Sequence, residues 1–77
     1  MLMFKKEVRV VSIRYNKLWK MLIDKGITKT EMRKQVGLSS NVLAKMGKDE
    51  TVSMDTLVRI AVFLECGLDD IVEIQKD

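Results

Sequence analysis

Histidine and proline are absent from this 77-residue sequence, and cysteine occurs once. Without histidine, the commonest general base of enzymes and the commonest side-chain ligand of catalytic metals are both missing. The single cysteine, Cys66, has no second cysteine to pair with and no basic neighbour in sequence to activate its thiol. We therefore expect a protein that is not an enzyme, that needs no metal or cofactor, and in which Cys66 is a buried, unreactive side chain.

Long apolar runs are absent as well, and no stretch approaches the length of a membrane-spanning helix. The opening residues MLMF are too short for the core of a signal peptide. Hydrophobic residues make up 47% of the chain and charged residues 32%, a balance typical of a soluble globular protein. We expect residues 1–77 to form one small domain that stays in the cytoplasm, away from membranes.

The charges are divided unevenly between the two parts of the chain. Residues 1–48 contain twelve Lys or Arg and three Asp or Glu, a net charge of +9. Residues 49–77 contain two basic and eight acidic residues, a net charge of −6. The basic part is suited to a polyanion such as nucleic acid. On charge alone, lysines that only keep a small domain soluble explain the pattern equally well.

The stretch from 28 to 48 predicts two short helices joined at a glycine. Thr28 and Glu31 have the spacing of a capping box, in which each side chain accepts a backbone N–H at the start of a helix. That helix is expected to end near Val36, because Gly37 adopts a left-handed turn without steric cost. The motif therefore begins with one capped helix and a tight turn.

A second helix is predicted from Ser39, a good N-cap, through Met46. Leu38 would be the apolar residue of the turn, and Leu43 would join Met46 on the buried face. The remaining side chains of this helix would form a small polar outer face: Ser40, Asn41, Ala44 and Lys45. Two short helices around a glycine turn, the second with a small polar front, are typical of a helix-turn-helix.

Two further helices flank this pair. The first is predicted at Asn16–Lys25, ended by Gly26, with Leu18 and Leu22 on its buried face and Trp19 and Ile23 beside them. The other is predicted to begin at the N-cap Ser53 and to close at Gly67. Its core-facing residues recur at helical spacing: Leu57, Ile60, Ala61 and Leu64.

Short strands are predicted near both ends of the sequence. The segment Glu7–Tyr15 is rich in β-branched residues, within an N-terminal strand or arm spanning residues 1–14. Residues 68–72 would form one short turn capped by Asp69, and 71–75 a second strand with Ile74 facing inward. Because a lone strand is unstable in water, the two strands are expected to pair, within one chain or between two.

The turn glycine Gly37 is framed by apolar residues at fixed spacing, and the segment SMDTLVRIAVFL follows at 53–64. The framing residues are Met32, Val36, Leu38, Leu43 and Met46. With these features, residues 27–64 resemble the Cro/CI-type (lambda-repressor-like, XRE-like) helix-turn-helix family of small bacterial and phage transcriptional regulators. The resemblance implies an all-α fold, a compact domain of five helices, to which the short terminal strands are added.

The resemblance also implies a function: sequence-specific binding of double-stranded DNA by a small transcriptional regulator, in particular a repressor. The recognition helix, residues 39–46, would enter the major groove. The residues implied to face base edges are Ser39, Ser40, Asn41 and Lys45. The residues implied to contact the phosphate backbone are Thr28, Lys29, Thr30 and Lys48. Such domains bind paired half-sites, so a homodimer is expected, joined through the terminal strands or through Phe63 and Leu68.

Two positions depart from the family pattern. Arg33 stands where a small residue, often alanine, is usual, which implies either a wider crossing of the two helices or an arginine whose head lies in solvent. Lys29 replaces a frequent glutamine and offers a phosphate a point charge instead of an amide. A different reading of the chain also stays open: a protein-interaction module, such as an antitoxin or antirepressor-like subunit, acting through its acidic C-terminal half.

Overall fold

Four α-helices and a two-stranded ladder enclose one hydrophobic core in the computed structural model, which describes residues 12–75. The elements in chain order are β1 (Ser12–Arg14), α1 (Asn16–Lys25), α2 (Lys29–Val36), α3 (Ser40–Gly47), α4 (Met54–Leu64), a 3₁₀ turn (Leu68–Asp70) and β2 (Glu73–Gln75). The fold is therefore mostly helical with a small antiparallel sheet, rather than all-α. The described residues contain four α-helices, and the expectation of five was wrong.

The short turn predicted over residues 68–72 is a 3₁₀ turn at Leu68–Asp70. The backbone N–H of its N-cap residue, Gly67, donates to the Asp70 carboxylate at 2.9 Å, which closes a single turn. Ile71 then enters the core with no exposed surface, so the chain leaves the helical path after three residues. The cap was expected from Asp69, and the structure assigns it to Asp70 instead.

The predicted side-chain caps begin α2 and α3, and the predicted glycines end α1 and α2, while α3 runs one residue past its predicted end to Gly47. Thr28 and Ser39 each accept the backbone N–H three residues ahead, so α2 and α3 begin one residue after their caps. Gly26 and Gly37 take left-handed φ values of 70° and 82° after α1 and α2. A residue with a Cβ would be strained at both positions, which is why glycine ends these helices.

The end of α4 differs from the prediction. Gly67 was expected to close this helix, but α4 ends at Leu64 and the left-handed C-cap residue is Glu65, with a φ of 56°. Glu65 donates its backbone N–H to carbonyls of the last turn, as a glycine cap would. Gly67 itself has an ordinary negative φ and is the N-cap of the 3₁₀ turn.

The core collects one face of each helix. Its buried side chains are Tyr15, Leu18, Leu22, Met32, Leu38, Met46, Leu57, Ile60, Ala61, Leu64 and Ile71. The predicted stripes on α1 and α4 are confirmed, and Trp19 and Leu43 are half-buried against them. Ile23, in contrast, is 77% exposed, because α1 buries only a narrow stripe of residues spaced about one turn apart.

The two strands pair with each other inside the chain. The register joins Ser12 to Gln75, Ile13 to Ile74 and Arg14 to Glu73. Residues 7–11 of the predicted first strand lie outside the described residues. Ile74 was expected to face inward but is 68% exposed, whereas Ile71, directly after the 3₁₀ turn that packs against α4, is fully buried.

Two polar contacts fix how these elements are joined. The buried Tyr15 hydroxyl donates to the Glu50 carbonyl at 2.6 Å, which ties the start of α1 to the loop between α3 and α4. Lys17 Nζ donates to the Asp69 carbonyl at 3.1 Å, which ties α1 to the 3₁₀ turn. No helix within residues 12–75 is long and apolar enough to cross a membrane.

Candidate nucleic-acid interface

The outer face of α3 is polar, small and open. All four residues predicted to face base edges are exposed: Ser39, Ser40, Asn41 and Lys45. The opposite face is held down by Met46, which has no exposed surface. Ser39 Oγ accepts the Val42 backbone N–H at 3.1 Å and keeps its own proton free to donate elsewhere. The helix therefore presents short donors and acceptors to a groove without bulky apolar side chains between them.

The start of α2 is organised by a complete capping box. Thr28 Oγ1 accepts the Glu31 N–H at 3.0 Å, and the Glu31 carboxylate accepts the Thr28 N–H at 2.8 Å. The hydrogen bond from the Thr28 backbone N–H, with a smaller contribution from the Thr28 side chain, lowers the pKa of the Glu31 carboxyl and keeps it ionised. The backbone N–H groups of Lys29 and Thr30, in the first turn, have no partner within the helix. They are the donors left at this terminus for an anion.

Lys29 is held in place by an aromatic ring. Its Nζ lies 4.1 Å from the centroid of the Trp19 ring, a cation–π contact between α2 and α1. Trp19 in turn packs at a tilt of 55° against Tyr15, with ring centroids 6.3 Å apart. Trp19 therefore has two roles. Its ring packs against the core, as expected, and it also fixes the position of the Lys29 ammonium.

Arg33 fastens the turn between α2 and α3. Its Nη1 donates to the Leu38 carbonyl at 3.2 Å, and its own carbonyl accepts the backbone N–H groups of Gly37 and Leu38 at 2.9 Å. The guanidinium therefore ends on the turn, so of the two alternatives expected for Arg33, the one with its head in solvent was wrong. Arg33 differs from the small residue that is usual in the family at this position, and here it joins the two helices of the motif.

Lys45 and Lys48 line one groove at the end of α3, together with β1 residues and the loop that follows α3. Arg14 lines the same groove, and its buried Nε has no hydrogen-bond partner among residues 12–75. Asp49 and Glu50 lie there too, so the groove holds both signs of charge. Asp49 adopts a left-handed φ of 58°, which turns the chain away from α3 directly after Lys48.

The structure also shows the surroundings of the Cys66 thiol and of the side chains that could bind a metal. Cys66 is half-buried, and burial raises the pKa of its thiol, with Asp70 raising it further. The thiol is therefore kept protonated and weakly nucleophilic. Within residues 12–75, no cluster of three or more His, Cys, Asp or Glu side chains is arranged to hold a metal ion.

All eight predicted contact residues are exposed, and sequence reasoning missed three that support them. The supporting residues are Trp19 under Lys29, Arg33 on the turn and Tyr15 on the loop after α3. Each of these contacts joins residues from different elements, and hydrophobic periodicity carries no signal of that kind. The departure at Arg33 was the one visible sign.

Comparison with known proteins agrees with this geometry. A sequence model of the Cro/C1-type helix-turn-helix DNA-binding domain matches residues 17–77. A crystal structure of the transcriptional regulator VanUg (Form II) has a similar fold, with a TM-score of 0.88 and 39% sequence identity. The similarity covers 97% of this chain and 100% of that chain. No curated protein has a significantly matching sequence.

Proposed function

The chain belongs to the Cro/C1-type helix-turn-helix DNA-binding family, and from that premise we propose that it is a sequence-specific transcriptional repressor. The observation that carries the proposal is the exposed polar front of α3 over a buried Met46. A helix of this shape fits the major groove, where base pairs are distinguishable by their donors and acceptors. Repression by occlusion requires only tight binding over a promoter, which is chemistry that a domain of this kind contains.

Base reading is assigned to the front of α3. Asn41 can bond an adenine in bidentate fashion, Lys45 can reach a guanine, and Ser39 and Ser40 accept or donate to several bases. Their backbone is fixed by the Ser39 cap and by the Arg33 bond to the turn, so the side chains meet the groove from a rigid support.

Phosphate binding is assigned to the start of α2 and the end of α3. Thr28, Lys29 and Thr30 surround the free N–H groups of the α2 N-terminus, where the helix dipole favours an anion. The Trp19 ring pre-positions the Lys29 ammonium, which lowers the entropy lost when a phosphate is bound. Lys48 lies one residue beyond α3 and would hold the backbone past the recognition helix.

A homodimer completes the proposed mode of action. One such domain contacts only a few base pairs, so specific binding normally needs two copies on half-sites about 34 Å apart, one helical turn of DNA. The regulator family is not a class of enzymes, and nothing in this mechanism requires a cofactor. The rival reading, an antitoxin or antirepressor-like interaction module, would use the acidic C-terminal half in place of α3.

Binding of the wild-type chain to mixed-sequence duplex DNA across a salt series tests the proposal. Affinity should fall steeply as salt rises, because each neutralised phosphate releases counterions. Ser40→Glu should abolish binding by placing a carboxylate against the DNA. Asn41→Ala should leave this non-specific binding nearly unchanged and weaken binding to a selected operator by about tenfold, since a good bidentate pair is worth about 1–3 kcal/mol.

Two matched controls separate these effects from general changes in charge or stability. Gln35→Glu adds the same charge on α2, beside a different groove lined by Gly26 and Phe63, and should leave affinity nearly unchanged. Asn16→Ala removes the same amide from the exposed start of α1. Weak binding that responds neither to salt nor to Ser40→Glu would reject the proposal and favour the interaction module.

A further inference from the structure

The outer face of α4 carries three apolar side chains in a row. Met54, Val58 and Val62 are four residues apart, which places them above one another on the same side of the helix. They are 61%, 44% and 70% exposed. The opposite side of α4 holds the buried core residues, so this helix is apolar on two sides. Single exposed apolar residues are normal in soluble proteins, whereas a continuous stripe indicates an interaction surface.

The charges beside this stripe are complementary to a second copy of the same helix. Asp55 and Arg59 are exposed and form an ion pair at 3.0 Å along one edge of the stripe. Consider two α4 helices packed antiparallel about a two-fold axis at Val58. Met54 of one copy then meets Val62 of the other. The same axis sets Asp55 of one copy beside Arg59 of the other, twice.

We propose that the outer face of α4, centred on Val58, is the surface through which two copies of this chain associate. The sites expected from the sequence are largely occupied, since the terminal strands pair with each other and Phe63 and Leu68 pack against the core. The stripe is only about 12 Å long, from eight residues of helical rise. Such a small interface predicts a weak, concentration-dependent dimer. The inference rests on the proposed function in one respect: binding to paired half-sites requires a dimer, and this surface would supply it.

Sedimentation equilibrium without DNA tests the association directly. Wild-type protein should shift from monomer to dimer as its concentration rises. Val58→Glu should weaken association at least about tenfold, because it places unpaired carboxylates at the centre of the interface. Ile23→Glu, the same charge at an exposed isoleucine on α1, should associate like the wild type. A wild-type chain that is monomeric at about 1 mM, or a Val58→Glu chain that dimerises normally, would overturn the proposal.

Charge reversal identifies the occupant as a second copy. Asp55→Arg gives two positive residues along the edge and Arg59→Asp gives two negative ones, so each variant alone should associate about two- to tenfold more weakly at low salt. An equimolar mixture of the two variants should form a heterodimer and recover association, because opposite charges again face each other. A mixture that associates no better than its components would reject the antiparallel arrangement. Circular dichroism of each variant confirms that the helices remain folded.

DNA binding provides an independent readout. Val58→Glu should keep the steep salt dependence of the wild type on mixed duplex DNA, because α2 and α3 are untouched. If the wild type dimerises but does not bind DNA, the interface stands and the proposed function fails. If the wild type binds DNA but stays monomeric at every concentration, the proposed DNA binding stands and the proposed interface fails.

Discussion

Helices α3 and α4 begin in the same way and serve different ends. Each follows a serine whose hydroxyl accepts the backbone N–H three residues ahead. Five side chains of α4 are buried, whereas α3 buries Met46 alone and half-buries Val42 and Leu43. Their outer faces differ as well, since α3 shows short polar groups and α4 shows an apolar stripe.

The difference indicates a division between support and contact. A helix that gives few side chains to the core keeps most of its surface for a ligand, and α3 is that helix. A helix that carries the largest share of the core is rigid, and rigidity is what a surface for pairing two copies needs. The following predictions test how deep this division goes, from the largest expected effect to the smallest.

Truncation of the buried side chains should cost most, and more on α4 than on α3. Ile60→Ala should lower the free energy of unfolding by about 2–5 kcal/mol, the range for large buried residues. Met46→Ala should fall near the lower end, because α3 has few other buried contacts and can settle into the space. Urea unfolding measures both from the transition midpoint.

Val62→Ala on the outer face of α4, at low protein concentration, is the control and should change stability by less than about 0.5 kcal/mol. Equal losses for Met46→Ala and Ile60→Ala would show that α3 is as integral to the core as α4.

The next largest difference between α3 and α4 is expected when their serine N-caps are removed. Ser39→Ala should cost about 1 kcal/mol, the usual value for a cap. Ser53→Ala should cost more, because the Ser53 hydroxyl also donates to Thr56 Oγ1 at 3.0 Å and Thr56 is buried. Thermal unfolding of both variants measures this order, and the DNA affinity should fall only for Ser39→Ala. A loss of DNA affinity in the Ser53→Ala variant would contradict the division in which α3 contacts the DNA and α4 supports the core.

The smallest effect concerns the hydrogen bond that ties the start of α1 to the loop between α3 and α4. Tyr15→Phe removes the hydrogen bond to the Glu50 carbonyl in the loop after α3 and should cost about 1 kcal/mol. Burial, with a lesser contribution from Asp49, raises the pKa of the Tyr15 hydroxyl above its ordinary value. The folded state thus favours the protonated form, and this stabilisation is complete below a pH of about 10 and is lost as pH rises through the folded pKa.

The measurement is the difference in unfolding free energy between wild type and Tyr15→Phe as a function of pH. Lysines that titrate in the same range cancel in that difference. The gap between the two proteins should therefore narrow above a pH of about 10, and a gap that widens would contradict the assignment.

Local chemistry made the helix-turn-helix predictable. A capping residue, a glycine and an apolar period act within a few residues of one another, so α1, α2 and α3 follow from sequence nearly to the residue. The end of α4 did not, because Glu65 takes a left-handed conformation that the sequence would assign to a glycine. The prediction took the nearby Gly67 as the end of α4, two residues beyond the observed C-cap, Glu65.

Long-range contacts explain the remaining errors and omissions. Whether Ile71 or Ile74 faces inward depends on how the 3₁₀ turn meets α4, and both residues suit a strand or a core equally well. The outward position of Ser40, Asn41 and Lys45 followed from helical spacing, and the other contact residues followed from the family resemblance. Their support by Trp19 and Arg33 required the packing of separate helices. Which bases or phosphates the eight residues contact is still a prediction.

The ladder of β1 and β2 has a consequence for the order of folding. It joins Ser12 to Gln75, residues from opposite ends of the described chain, whereas the caps and turns of the helices join close neighbours. Closing so long a loop costs entropy that only a preformed core can offset. The helices should therefore assemble first, and the ladder should form last and open first, as a clasp on a unit that has already folded.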